Sequence, residues 1–231
     1  LQTMMYPSFG DHSRIGKDSK SPPTFKVERE LAAQGFRRIV GVDEAGCGAL
    51  AGPVVAAAVI LPMDSRIGAI RDSKLLDERR REELYPLIVE RAVAWAVGVA
   101  SVEEIATLNI RGANLLAMRR AVEALDDRFC PVGQNRSDAI MKFVDYVLVD
   151  AWMIPGITIT QRGIVRGDRT VKSIAAASII AKVTRDRMMR ELAQEFPHYG
   201  FEIHKGYGTK RHREAIAQYG VCPHHRLSFI H

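Results

Sequence analysis

Two apolar runs of this chain stop on carboxylates, and that narrows the folds open to it. Asp43 and Glu44 follow the run in RIVGVDEAGCG, and Asp150 ends the run in YVLVDA. Such runs suit the interior of a sheet, and neither needs an acid at its end in order to fold. Burying or half-burying a negative charge costs several kcal/mol unless something positive meets it. A further acid, Asp168, sits in VRGDRTVKS. No single basic residue recurs beside all three places, so a hard divalent cation is the economical partner. The pattern points to metal-dependent phosphoryl chemistry.

Carboxylate oxygens without cysteine or paired histidine ligands suit Mg2+ or Mn2+ rather than zinc. Each acid has a plainer rival role: a solvated strand end for Asp43-Glu44, an Asx turn or N-cap for Asp150, and a helix cap for Asp168. Consecutive strand residues point to opposite faces, so Asp43 and Glu44 cannot both reach one ion from a regular strand. The break at Gly46-Cys47-Gly48 is expected to turn the backbone and bring Glu44 round. Its glycines also let backbone N–H groups approach a ligand closely.

The 33 Lys+Arg against 27 Asp+Glu give a net charge of +6, which rises to +10 if a cation neutralises the four acids. That excess suits a polyanion such as nucleic acid. Three widely spaced cysteines, Cys47, Cys130 and Cys222, argue for a reducing, cytoplasmic setting. No apolar run reaches membrane-spanning length. Residues 1–26 lack a signal-like apolar stretch and read as a disordered tail.

Periodicity places strands at residues 37–42, 53–61, 93–100, 146–150 and 157–160, and helices at 77–92, 171–196 and 210–219. Asn109 or Gly112 is expected to open another helix, and 126–138 a loop. Residues 198–209 read as a loop rich in glycine and histidine. The sum is a mixed α/β sheet flanked by helices, with a small helical C-terminal lobe. Ser73-Lys74 in RDSKLL either meets a phosphate or lies in a solvated loop. Ser178, Lys182 and Arg185 share one stripe of the long helix, lining a groove or facing water. Tyr207, between glycines in HKGYGT, suits stacking on a sugar or base better than a core. A zinc site at Cys222, His224 and His225 lacks paired-cysteine spacing and is disfavoured.

Together, GVDEAGCGALAGPVVAAAVIL, RDSKLL, LNIRGANLLAMRRAV, YVLVDA, GDRTVKSIAAASIIAKVTRDRMM, HYGFEIHKGYGTKRH and HHRLSF resemble ribonuclease HII, the class II ribonuclease H. The resemblance covers residues 38–229 in order. It implies an RNase H-like catalytic domain over 27–196, with a lobe over 197–231 that completes a substrate groove. It implies hydrolysis of RNA in RNA–DNA hybrids, cleavage 5′ to ribonucleotides embedded in duplex DNA, and two ions in the reacting complex. By motif position, the metal-holding catalytic acids are Asp43, Glu44, Asp150 and Asp168. Gly46, Cys47 and Gly48 form the substrate-reading turn, and Tyr207 reads the junction. Ser73, Lys74 and Lys182 complete the candidate substrate contacts.

Three positions leave the family pattern: Cys47 where Arg is usual, Ala49 where Pro is common, and Ala151 where Gly is common. Cys47 cannot make the bidentate phosphate contact of an arginine. It either forgoes that contact or packs inward while Lys74 or Lys182 holds the phosphate. A ribonuclease HIII-like hybrid nuclease without junction activity, or a non-catalytic hybrid-binding protein, are the rival functions. A monomer is expected.

Overall fold

The computed structural model describes residues 21–129 and 143–230. Strands β1 (Ile39–Ala45), β2 (Val54–Ile60), β3 (Ala94–Ala100), β4 (Tyr146–Asp150) and β5 (Thr160–Ile164) form one sheet in the order β3-β2-β1-β4-β5. The first three make an antiparallel meander. β4 then joins β1 in parallel, and β5 joins β4 in parallel. The sheet is therefore mixed, as its sequence leads one to expect.

Helices cover both faces. Val40 and Val42 of β1 and Val54, Ala56 and Ala58 of β2 share a core with Ala113, Ala117, Met118, Ala121, Val122 and Leu125 of α3 (Val102–Phe129). Ala45, Ala57 and Val59 point the other way, into a core with Ala175, Ala176, Ile179 and Ile180 of α5 (Lys172–Glu195). This double burial explains why VVAAAVI lacks polar alternation. Gly41 lets α5 sit against β1, because a Cβ there would lie 2.2 Å from the Ser173 carbonyl carbon. The remaining helices are α1 (Lys26–Ala33), α2 (Glu78–Arg91), α4 (Gly167–Thr170), α6 (Phe201–His204) and α7 (Lys210–Tyr219).

Several expected boundaries move. β1 runs on through Asp43 and Glu44 to Ala45, so the backbone does not break at the acids. The last strand lies at Thr160–Ile164 and not at 157–160. Ile157 and Ile159 are apolar because they pack against the core from a loop, whereas the edge strand TQRGI is half-exposed and polar. α3 continues to Phe129, four residues into the expected loop, whose remainder lies outside the described residues. Asn109, with φ 58°, breaks α3, and its Oδ1 accepts from the amides of Arg111 and Gly112 at 3.0 and 3.2 Å. It opens the second half of the helix, as anticipated. Of the expected tail, residues 1–20 lie outside the described residues, while the Thr24 amide donates to Thr170 O at 3.1 Å and Phe25 is buried.

Residues beyond 196 build a cluster of their own, with Tyr199, Phe201, Ala215 and Cys222 around Met189, Ala193 and Ala51. The first half of the expected loop over 198–209 is helical, a 3-10 turn (Pro197–Tyr199) followed by α6, and residues 205–209 remain a loop.

Ala151 has φ 60°, in the left-handed region where a side chain costs about 1–2 kcal/mol. Ala151→Gly should therefore stabilise the fold by about 1 kcal/mol, raising Tm by roughly 2–4 °C in a thermal melt. An unchanged or lower Tm would show that this turn is not strained.

Candidate active site

The parallel register sets Val42 beside Val149, so the next residues, Asp43 and Asp150, stand side by side at the ends of adjacent strands. β5 pairs Ile164 with Asp150, and the chain then turns through Arg166 into α4, which carries Asp168. One carboxylate oxygen from each of Asp43, Asp150 and Asp168 lies within 4.8 Å of the other two. Local bonds fix the trio. Asp43 Oδ1 accepts from the Glu44 amide at 2.7 Å, and Asp150 Oδ1 accepts from the Gly167 amide at 2.7 Å. No side chain caps α4 or α5, so Asp168 is not a helix cap.

Glu44 stands beside the trio and is not among it. Asp43 shares its face of β1 with Gly41 and Ala45, towards α5, while Glu44 shares the α3 face with Val42. The strand stays regular there, so the glycine break downstream does not swing Glu44 round. Its Oε1 lies 3.7 Å from Cys47 Sγ.

These acids are held in their neutral form more readily than usual. Burial, then the charges of Glu44 and Asp150, raise Asp43 well above the carboxylate range. Burial also raises Glu44 and Asp150. Asp168 is pushed up to about 6, by burial and then by Asp150 and Asp72. Three hard oxygen donors that repel one another in a buried spot fit a divalent cation, whose charge would favour their ionised forms.

Asp72, which the sequence reading passed over, is a fifth acid here. It is almost fully buried, accepts from the Lys74 amide at 2.9 Å and pairs with Arg169 at 3.3 Å. Lys74 feels the same field: burial opposes its charge, but Asp43, Asp72, Asp168 and Glu44 outweigh burial and raise its pKa. Ser73 is buried, its amide donating to Ser178 Oγ at 3.2 Å, and Ser178 is buried as well. Lys182 bonds Asp186 at 2.6 Å and lies 5.3 Å from the centre of the Tyr207 ring.

The glycine turn is held from below by two buried arginines. Gly46 has φ 100°, and a Cβ there would strike the Arg185 side chain at 2.1 Å. Arg185 donates to the carbonyls of Pro53, Lys205 and Ala51 at 2.9, 2.9 and 3.0 Å. Arg226 donates to Gly52 O at 2.7 and 2.9 Å and to Cys47 O and Pro53 O at 3.1 Å. Burial, then Arg185, push the Arg226 pKa down to about 10. Arg185 thus neither faces water nor lines a groove. Among the described residues, no hydrogen bond occupies the Cys47 or Gly48 amide. Cys47 itself packs against the α3-side core, and burial, then Glu44, push its thiol up to about 12.

Tyr207 is brought to this turn by an antiparallel bridge to Ala49 and by bonds from the Leu50 and Ala51 amides to Gly206 O at 2.8 and 3.3 Å. Its ring is half-buried, 5.4 Å from Arg185 Cζ. Histidines hold its backbone. The Cys222 amide donates to His225 Nδ1 at 2.9 Å, which leaves the His225 proton on Nε2, 3.1 Å from His212 Nε2. His212 Nδ1 then donates to Tyr207 O at 3.0 Å. Burial above all pushes His212 down to about 4, keeping it neutral. These rings are spent on one another and on the backbone. The zinc reading fails, since the only metal-competent group among the described residues is the aspartate trio.

The ribonuclease HII family model matches residues 40–231. The chain belongs to the ribonuclease HII family. The ribonuclease HII of Bacillus licheniformis is 50% identical over 202 residues, 87% of this chain and 73% of that one. That of Clostridioides difficile is 45% identical over 217 residues, 94% of this chain and 79% of that one. Among solved structures, ribonuclease H2 from Pyrococcus horikoshii superposes with a TM-score of 0.63 at 25% identity, covering 83% of this chain and 93% of that one. The ribonuclease HII in a PCNA complex from Archaeoglobus fulgidus gives 0.57 at 26%, with the same coverage. Ribonucleases HII are metal-dependent ribonucleases, and this chain, with its acidic trio, is one.

Proposed function

We propose that this ribonuclease HII hydrolyses the RNA strand of RNA–DNA hybrids and cuts 5′ to ribonucleotides embedded in duplex DNA, leaving 5′-phosphate and 3′-hydroxyl ends. The observation that carries this reading is the bridge joining Ala49 to Tyr207, which seats a glycine turn and an aromatic ring in one assembly, close to the aspartate trio. Asp43, Asp150 and Asp168 would hold the cation, with Glu44 beside them. Mg2+ or Mn2+, two ions in the reacting complex, would supply the positive charge that activates water and stabilises the leaving 3′ oxygen. The open amides of Cys47 and Gly48 offer donors to a 2′-hydroxyl, the group that separates RNA from DNA. Lys74, already held among the acids, offsets their charge when no ion is bound. We place catalysis in residues 27–196 and completion of the groove in 197–231, in a monomeric cytoplasmic protein.

Cleavage of a uniform hybrid beside a duplex with one embedded ribonucleotide, each with and without Mg2+ or Mn2+, tests this. Cleavage of both, only with metal, is expected. Hybrid cleavage alone would give the ribonuclease HIII-like alternative, and binding without any cleavage a non-catalytic hybrid binder.

Tyr207→Ala should lose roughly ten-fold or more activity on the single-ribonucleotide duplex, since stacking is worth about 1–3 kcal/mol per base. The loss on uniform hybrid should be smaller. Equal losses on both would make the ring a support for the turn and not a reader of the junction.

A further inference from the structure

Beyond Asp150 the chain makes a sharp turn that throws apolar side chains outward. With Ala151 in the left-handed conformation, the Trp152 amide donates back to Asp150 O at 2.8 Å. Trp152 is left 58% exposed and Met153 62% exposed. Val165, just after the residue paired with Asp150, is also 62% exposed. A tryptophan this exposed forgoes most of the burial that usually stabilises such a ring. The ring is not loose, however. The Arg111 guanidinium lies over it, 4.7 Å from its centre, and Asn109 fixes the backbone that carries Arg111. Among the described residues Arg111 makes no ion pair, so its charge remains available to an anion. An open indole backed by an uncommitted cation, two residues from a catalytic carboxylate, has the chemistry of a stacking platform for a nucleotide.

We propose that Trp152, stiffened by Arg111, stacks on a base or sugar of the nucleic-acid substrate beside the scissile phosphate, with Arg111 meeting a neighbouring backbone phosphate. This rests on the hybrid-cleaving function proposed above. It adds a contact on the side of the site formed by the β4–β5 turn, where Tyr207 does not reach through its bridge to Ala49. The occupant is nucleic acid and not a protein partner, because an apolar ring paired with a free cation matches a base next to a phosphate. Trp152 also follows Asp150 of the acidic trio by two residues, and its amide donates to the Asp150 carbonyl.

The chain has two tryptophans, and the other, Trp95, is half-buried edge-on against Tyr85. In an Asp43→Asn, Trp95→Phe protein, Trp152 is the sole indole reporter, and cleavage does not consume the substrate. Titration with an RNA–DNA hybrid should quench its emission to saturation, in step with binding followed by anisotropy of a labelled hybrid. In the otherwise native enzyme, Trp152→Ala should raise KM about ten-fold and leave kcat within about two-fold, while Trp152→Phe restores most of the KM. Arg111→Ala should flatten the slope of log affinity against log salt by about 0.9, the value for one lost phosphate contact.

Hybrid binding with no change in Trp152 emission would overturn the platform while leaving the hybrid-cleaving function intact. So would a KM unmoved by Trp152→Ala. A protein that binds no hybrid at all would take down both. If Trp152→Ala changes the sedimentation of the free protein and not its KM, the face is a self-association surface and the proposal is wrong.

Discussion

Asp43→Asn should lower the rate of hybrid cleavage by about a thousand-fold or more, roughly 4 kcal/mol in the barrier, with hybrid binding unchanged or tighter. Asp150→Asn should do the same. Each substitution keeps the shape of the side chain and removes a charge that holds the cation and repels phosphate. Activity within ten-fold of the native enzyme would remove the trio from the reaction. The same residues set the stability of the metal-free protein. Their folded pKa values lie above those of the unfolded chain, with Asp168 at about 6 against an ordinary 3.8. The native state thus holds more protons than the unfolded chain between about pH 4 and 6, and stability contributed by protonation is lost as pH rises through that window. Buried His212 titrates in the opposite sense over a similar range, so a bare pH–Tm curve mixes the two. The comparison that isolates the acid is Asp168→Asn against the native chain in chelator. The variant should melt higher at pH 7, and the gain should vanish near pH 4. Millimolar Mn2+ should close the gap at pH 7 by stabilising only the native trio. A gain that persists at pH 4 would trace to packing instead.

The second large effect is expected at Arg185. Arg185→Met fills similar volume but leaves the carbonyls of Ala51, Pro53 and Lys205 without their donor in a buried place. Unmet buried groups cost about 1–3 kcal/mol each, and the effects overlap, so a loss on the order of 3 kcal/mol or more is expected. For a domain of this size that is a fall in Tm of roughly 6–12 °C. A fall under about 2 °C would mean that water or a neighbouring side chain takes over the carbonyls. Arg187→Met, two residues further along α5, should cost far less, because its ion pair with Glu82 is 44% exposed on the arginine side.

Sheet, long helices and acids were legible where local chemistry and tertiary demand agree. VVAAAVI and YVLVD are buried on both faces, so their apolar runs carry the signal directly. Lys210–Tyr219 is bounded by Thr209, whose hydroxyl accepts from the His212 amide, and by Gly220. The first part of α3 was overlooked although its start is written in SVEE: Ser101 Oγ accepts from the Glu104 amide at 3.3 Å and Glu104 returns the bond at 2.9 Å. β5 was misplaced for a different reason. On a half-exposed edge, TQRGI shows no apolar period, and the isoleucines before it pack, partly buried, against the core from a loop. At the site, Asp72 lay one residue before a pair that was singled out, but nothing local separates it from a solvated aspartate. Arg226 was beyond reach, because its four bonds go to residues more than 170 positions earlier. Strand parity was stated correctly for Asp43 and Glu44; what misled was the assumption that the following glycines undo it.

The span between Arg226 and the turn it holds also has a temporal side. Ribosomes add about 5–20 residues per second, so the 174 residues separating Gly52 from Arg226 represent roughly 9–35 s of translation. Throughout that interval β1 and its acids exist, but the carbonyls of Cys47 and Gly52 have no guanidinium beneath them. A growing polypeptide therefore carries the acids of β1 well before it carries the arginine that holds the turn beside them. The turn is complete only once the chain has been made through residue 226.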